Sequence, residues 1–196
     1  MKKYLQNTLL VSAFIPVLAL STLGLNIVSD NSTNSNNVVE LKELKVNSDQ
    51  DQSVEALRKQ KADKIDAYFE SKSAPLAGHG MQFVLVAEKY GLPYNFLPAI
   101  AMRESTGGKF AYNTNPFGWG SAKIKFDNFD EAIETVGRNL GGANPKTARY
   151  YSNNNIKKKL WYYNGSVIEG YEDQVISIMN TIDKVDTVKA TLADNS

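Results

Sequence analysis

The sequence predicts a mainly α protein, a single helical domain with at most a small β-hairpin. Apolar residues recur at helical spacing through most of the stretch from Val54 to Val185. Clusters of Gly, Pro and Asn punctuate that stretch where one helix would have to give way to the next. At roughly 130 residues it is long enough to enclose one core.

The first 29 residues stand apart from this domain. Lys2 and Lys3 precede an uncharged stretch from Leu5 to Ser29, with LLVSAFIPVLAL at its centre. That pattern is a secretory signal peptide or an uncleaved membrane anchor, so the chain is expected to be exported, either secreted or tethered through residues 5–29. Pro16 and Asn26 interrupt the apolar run and favour a signal. Residues 30–53 are rich in Asn, Ser, Asp and Gln, with five acids against two bases. They read as an acidic, solvated linker with little structure, and only VVELKELKV offers apolar residues. The domain proper spans residues 54–186, and residues 187–196 read as a flexible tail.

Within the domain, Val54, Leu57, Ile65, Tyr68 and Phe69 form the stripe of an amphipathic helix, broken after Ala74-Pro75 and Gly78-His79-Gly80. MQFVLVAEKY, apolar nearly all round, fits a buried helix or a strand; Gly91 as a C-cap favours the helix. Asn95 suits the N-cap of the next helix, with Pro98 tolerated in its first turn. That helix ends at Gly107-Gly108. Gly118 to Asp127 is short enough for a small hairpin. Asn128 with Glu131 has capping-box spacing ahead of the stripe Phe129, Ile133, Val136 and Leu140. A short helix around Ile156 to Tyr162 follows, and Tyr171, Val175, Ile178, Met179 and Ile182 mark the last one. Lys157-Lys158-Lys159 reads as a solvated helix face, and His79, in its Gly turn, as structural.

Composition narrows the chemistry. The chain of 196 residues has no cysteine and one histidine, which excludes a disulfide scaffold, a thiol nucleophile and a thiolate metal site, and disfavours a multi-histidine one. No metal or cofactor is implied. The net charge of +1 argues against a dedicated nucleic-acid binder, although it conceals a segregation, because Val54 to Val185 carries 17 bases and 14 acids.

Glu104 is the candidate catalytic residue. Leu97, Ile100, Ala101 and Glu104 fall at i, i+3, i+4 and i+7, so a carboxyl continues the apolar stripe. It also stands in the last turn, at the negative end of the helix dipole. Both placements disfavour ionisation, and a carboxyl that keeps its proton is what a general acid requires.

AIAMRESTGGKF followed by NPFGWG resembles the catalytic stretch of the lysozyme-like superfamily, and most closely that of bacterial endo-β-N-acetylglucosaminidases. Their Glu-Ser pair is followed by a Gly-rich turn and an N-x-F-G loop. Goose-type lysozymes and lytic transglycosylases share the Glu-Ser but continue with G-L-M-Q, which this chain lacks. The resemblance covers Ala74 to Ile182. It implies a lysozyme-like fold and a peptidoglycan hydrolase in which Glu104 protonates the glycosidic oxygen of a β-1,4-linked N-acetylhexosamine strand. It implies that Ser105 binds the carboxyl or shapes the helix end, and that Asn115, Phe117, Gly118 and Trp119 line the sugar cleft. It also implies a tyrosine from the C-terminal third near the cut bond, with Tyr151 and Tyr171 as candidates. No acid lies between Gly118 and Phe126 to act as a second catalytic group. Two routes therefore stay open: assistance by the substrate's 2-acetamido group, or lytic transglycosylation through the sugar's 6-hydroxyl. A glycan-binding module without activity is the rival of a different class.

Overall fold

The structure, a computed structural model, describes residues 36–187. These form α1 (Asn36–Ser71), α2 (Gly80–Tyr90), α3 (Phe96–Ser105), α4 (Phe129–Leu140), α5 (Ala148–Tyr151), α6 (Ile156–Leu160), a π-helical turn (Trp161–Gly165) and α7 (Tyr171–Asp183). The chain divides into two compact units at Glu40/Leu41, and only Asn36–Glu40 of the first is described. The proposed signal or anchor, and the tail beyond Thr187, lie outside the described residues. Among the described residues no helix is long and apolar enough to cross a membrane.

The protein is mainly α, as expected, and α3 is its centre. Phe96, Leu97, Ala99, Ile100 and Ala101 are fully buried, and α3 packs against α7, α2 and α4, while α2 also packs on α4. Gly91 caps α2 in the left-handed conformation, donating to the Glu88 carbonyl. Half of the expected box opens α4: Asn128 Oδ1 accepts from the Glu131 N–H at 2.8 Å, while Glu131 Oε2 reaches one residue further back and accepts from the Asp127 N–H at 2.7 Å. His79 serves the scaffold, its Nδ1 2.6 Å from Asp130 Oδ1 and its ring edge-on to Phe129.

Five expectations need correction. Residues 36–53, read as a linker with little structure, are helical, because neither Gly nor Pro interrupts the chain between Asn36 and Ser71. The stripe of α1 is buried only from Ala62 onward; Val54 and Leu57 are exposed. Asn95 stands at the N-cap of α3, yet its side chain caps nothing and donates instead to the Met179 carbonyl, tying α3 to α7. No hairpin forms between Gly118 and Asp127: Gly118, Gly120, Ser121 and Ala122 take positive φ, curling the chain into turns where a strand needs it extended. Lys159 is buried, donating to the Leu140 and Tyr151 carbonyls, so only Lys157 and Lys158 face solvent.

Candidate active site

Glu104 sits in the last turn of α3, half-buried. Its Oε1 accepts a 2.6 Å hydrogen bond from the hydroxyl of Tyr171, the first residue of α7, whose side chain is fully buried. Burial first, and the neighbouring Glu104 carboxyl second, hold the Tyr171 hydroxyl protonated far beyond the ordinary tyrosine range. One carboxyl oxygen is thereby fixed. The other faces Gly118: a Cβ on that glycine would lie 3.6 Å from Glu104 Oε2. With φ +62°, Gly118 also holds a conformation that costs other residues about 1 kcal/mol.

The helix end that presents Glu104 is over-determined. Thr106 is left-handed, with φ +55°, and its N–H bonds to the Met102 carbonyl, while the Gly107 N–H reaches Ala101. Gly107 must be glycine, since a Cβ there would meet Ala74 at 2.6 Å and Phe69 at 2.9 Å. Ser105 Oγ donates its one proton to the Pro116 carbonyl at 2.7 Å, with the Ala101 carbonyl within reach at 3.1 Å, and accepts from the Gly108 N–H. It welds the helix end to the loop that follows.

Beside the carboxyl opens a cleft of about 530 Å³, lined by Gly118, Trp119, Gly120, Ser121, Tyr163 and Asn164. Two of these connect it to Glu104. Gly118 borders Oε2, and Tyr163 stacks on Tyr171 with ring centroids 6.2 Å apart and planes 10° from parallel. The Tyr163 ring is half-buried, and its hydroxyl donates to the Phe117 carbonyl at 2.5 Å. Burial, then the charge of Glu104, holds that hydroxyl protonated as well. Trp119 packs against Tyr163 and Tyr151 at 5.8 and 6.3 Å.

The expected site residues thus divide. Glu104, Gly118, Trp119 and Tyr171 come together around the carboxyl and the cleft. Asn115 and Phe117, expected to line the sugar cleft, are buried, and Ser105, buried as well, takes the second of its two expected roles and shapes the helix end. Asn115 staples the loop, donating to the Trp119 and Ile124 carbonyls and accepting from the Trp119 N–H, while Phe117 is core. Tyr151 is buried against Trp119 and supports it, and burial pushes its hydroxyl up to about 12. Tyr163, Asn164 and Ser121 were not among the expected site residues. The Tyr-Asn-Gly run was the available signal, and helical periodicity passes over it.

Three acids that follow the loop are engaged elsewhere: Asp130 with His79, Glu131 with the Asp127 N–H, and Glu134 with Lys89 and Tyr90. Among the described residues no cluster of three or more His, Asp or Glu is placed to hold a metal ion. No protein-family model, curated protein or solved structure matches the chain.

Proposed function

We propose that this chain is an exported, lysozyme-like glycosidase that cleaves β-1,4 bonds of N-acetylhexosamine strands in peptidoglycan, with Glu104 as general acid. The observation that carries the reading is a single carboxyl, braced on one oxygen by a buried tyrosine and open on the other beside an aromatic cleft. An indole and a phenol ring offer flat apolar faces to pyranose rings. A tyrosine donor on Oε1 leaves Oε2 as the oxygen that carries the transferable proton.

In this reading Oε2 gives its proton to the glycosidic oxygen as the C1–O bond breaks. The 2-acetamido oxygen of the same sugar closes on C1, forming an oxazolinium ion and releasing the leaving sugar as its alcohol. Water then adds to C1, its proton returns to Glu104, and the acetamido group is restored. Substrate assistance is favoured because three of the four acids that follow the loop, Asp130, Glu131 and Glu134, are tied down in the scaffold; the fourth, Asp127, is exposed, with its backbone N–H on Glu131.

The test compares the full chain with Glu104→Gln on purified cell walls. The substitution keeps size and an acceptor for Tyr171 while removing the proton donor. Release of soluble fragments is expected to fall about 100-fold or more, with reducing N-acetylglucosamine ends in the wild-type digest. Equal release by both proteins overturns the assignment of Glu104. Binding without release by either makes the chain a glycan-binding module, and 1,6-anhydro ends identify a lytic transglycosylase.

A further inference from the structure

Both walls of the cleft are built from backbone that ordinary helices and turns avoid. On one side Gly120, Ser121 and Ala122 are consecutive left-handed residues, with φ of +65°, +57° and +58°. Each of the two non-glycine residues costs about 1–2 kcal/mol in that region. The turn is closed by Ala122 N–H to the Gly118 carbonyl at 3.0 Å and Lys123 N–H to Gly120 at 3.2 Å. On the other side Trp161–Gly165 is wound as a π-helical turn, the Ser166 N–H reaching back to the Trp161 carbonyl. Backbone strain and π-turns concentrate where a fold holds a side chain for a ligand.

Each wall delivers one polar residue to the cleft, Ser121 from the left-handed turn and Asn164 from the π-turn. Neither side chain hydrogen-bonds to another described residue. The other asparagine of this loop region, Asn115, is spent on the backbone around it. Asn164 presents an uncommitted carboxamide, one acceptor and two donors, in the cleft that Trp119 and Tyr163 also line.

We propose that Asn164, with Ser121 in the same cleft lining, forms the subsite that reads an N-acetyl group on the bound glycan. This rests on the glycan reading of the cleft and deepens it to the substituent recognised. An acetamido group offers one N–H and one carbonyl side by side, the complement of a carboxamide, and its methyl suits the neighbouring rings. An unacetylated amine offers neither carbonyl nor methyl, and leaves the Asn164 donors unmatched on binding. Ser121 supplies the second polar contact to the same sugar.

The test uses the full chain carrying Glu104→Gln, so that binding is measured without cleavage. Its tryptophan fluorescence, which includes Trp119, is titrated with N-acetylglucosamine oligomers and with the same oligomers de-N-acetylated. The parent is expected to prefer the acetylated ligand. Adding Asn164→Ala is expected to weaken acetylated binding about tenfold and leave the de-N-acetylated ligand unaffected; Asn164→Asp, which keeps an acceptor but loses the donors, should lie closer to Ala than to Asn. Ser121→Ala should weaken acetylated binding about threefold. If the parent prefers acetylated oligomers and Asn164→Ala keeps that preference intact, the subsite assignment is overturned while the glycan reading stands. If the parent binds neither oligomer, the glycan reading itself falls.

Discussion

The buried hydroxyl of Tyr171 has Glu104 as its partner, and the pair decides how the carboxyl is aimed. Tyr171→Phe keeps the ring and its stacking on Tyr163 but leaves Oε1 without its donor. Loss of such a bond costs about 1–3 kcal/mol of stability. Turnover on cell walls is expected to drop while affinity for oligosaccharide, measured by fluorescence, holds; a loss confined to affinity would make Tyr171 a sugar contact instead of a positioning residue. Gly118→Ala acts from the opposite side, straining the left-handed backbone by about 1 kcal/mol and placing a methyl in van der Waals contact with Oε2. Its thermal midpoint and its release of wall fragments should both fall. Glu104 was legible in the sequence because a carboxyl on an apolar stripe is rare and costly. Asn115 and Phe117 turn away from the cleft they were expected to line, because nearness in sequence reports the loop and says nothing of which way its side chains turn; Ser105 shapes the helix end, one of its two expected roles. All three point inward and hold the loop that Gly118 and Trp119 present.

At the scale of elements, the end of α3 is where the fold invests most in the site. Ser105→Ala removes both a donated and an accepted hydrogen bond and leaves the Gly108 N–H and Pro116 carbonyl without the hydroxyl that joins them. It should cost about 2–3 kcal/mol, seen as a lower denaturant midpoint with an unchanged slope. Thr106→Gly should do the reverse, gaining up to about 1 kcal/mol by relieving a left-handed threonine. A drop in stability there would show that the threonine side chain holds the turn. The helices α3, α4 and α7 were legible because their apolar residues keep helical spacing over ten or more positions, and α2, apolar nearly all round, because Gly91 marks its end. The left-handed turn and the π-turn were not. Each is a local departure of a few residues, with no period to detect; Ile124 packs back on Gly120 within the left-handed turn, and the long-range bond from Tyr163 to the Phe117 carbonyl holds the π-turn against the loop. The parts of the cleft hidden from sequence reasoning are thus those where local propensity is overruled.

For the whole molecule, four tyrosine hydroxyls, three around the cleft and Tyr94 on Asp183, set the alkaline limit of the fold. Burial holds the hydroxyls of Tyr94, Tyr151, Tyr163 and Tyr171 above the ordinary value of 10.0, with Tyr151 at about 12. A folded-state value raised above the unfolded one stabilises the fold fully below pH 10, and that contribution is lost as pH climbs above it, because only the unfolded chain sheds the proton. Each such group lowers stability by about 1.4 kcal/mol per pH unit until its own folded value is reached. Four together approach about 5 kcal/mol per unit, enough to exhaust an ordinary domain's stability within about two units. Lys159 works in the opposite sense: burial lowers its folded value beneath 10.5, so its contribution rises with pH, but only until 10.5 is passed. One lysine cannot offset four tyrosines beyond that point. Tyrosinate absorbance and loss of helical circular dichroism should therefore rise together in a single cooperative step above pH 10. Tyr171→Phe should move that step to higher pH relative to the neutral-pH stability of the variant, because one linked proton is gone. A gradual ionisation well ahead of helix loss would mean that these hydroxyls are open to solvent, and the braced arrangement around Glu104 would fall with it.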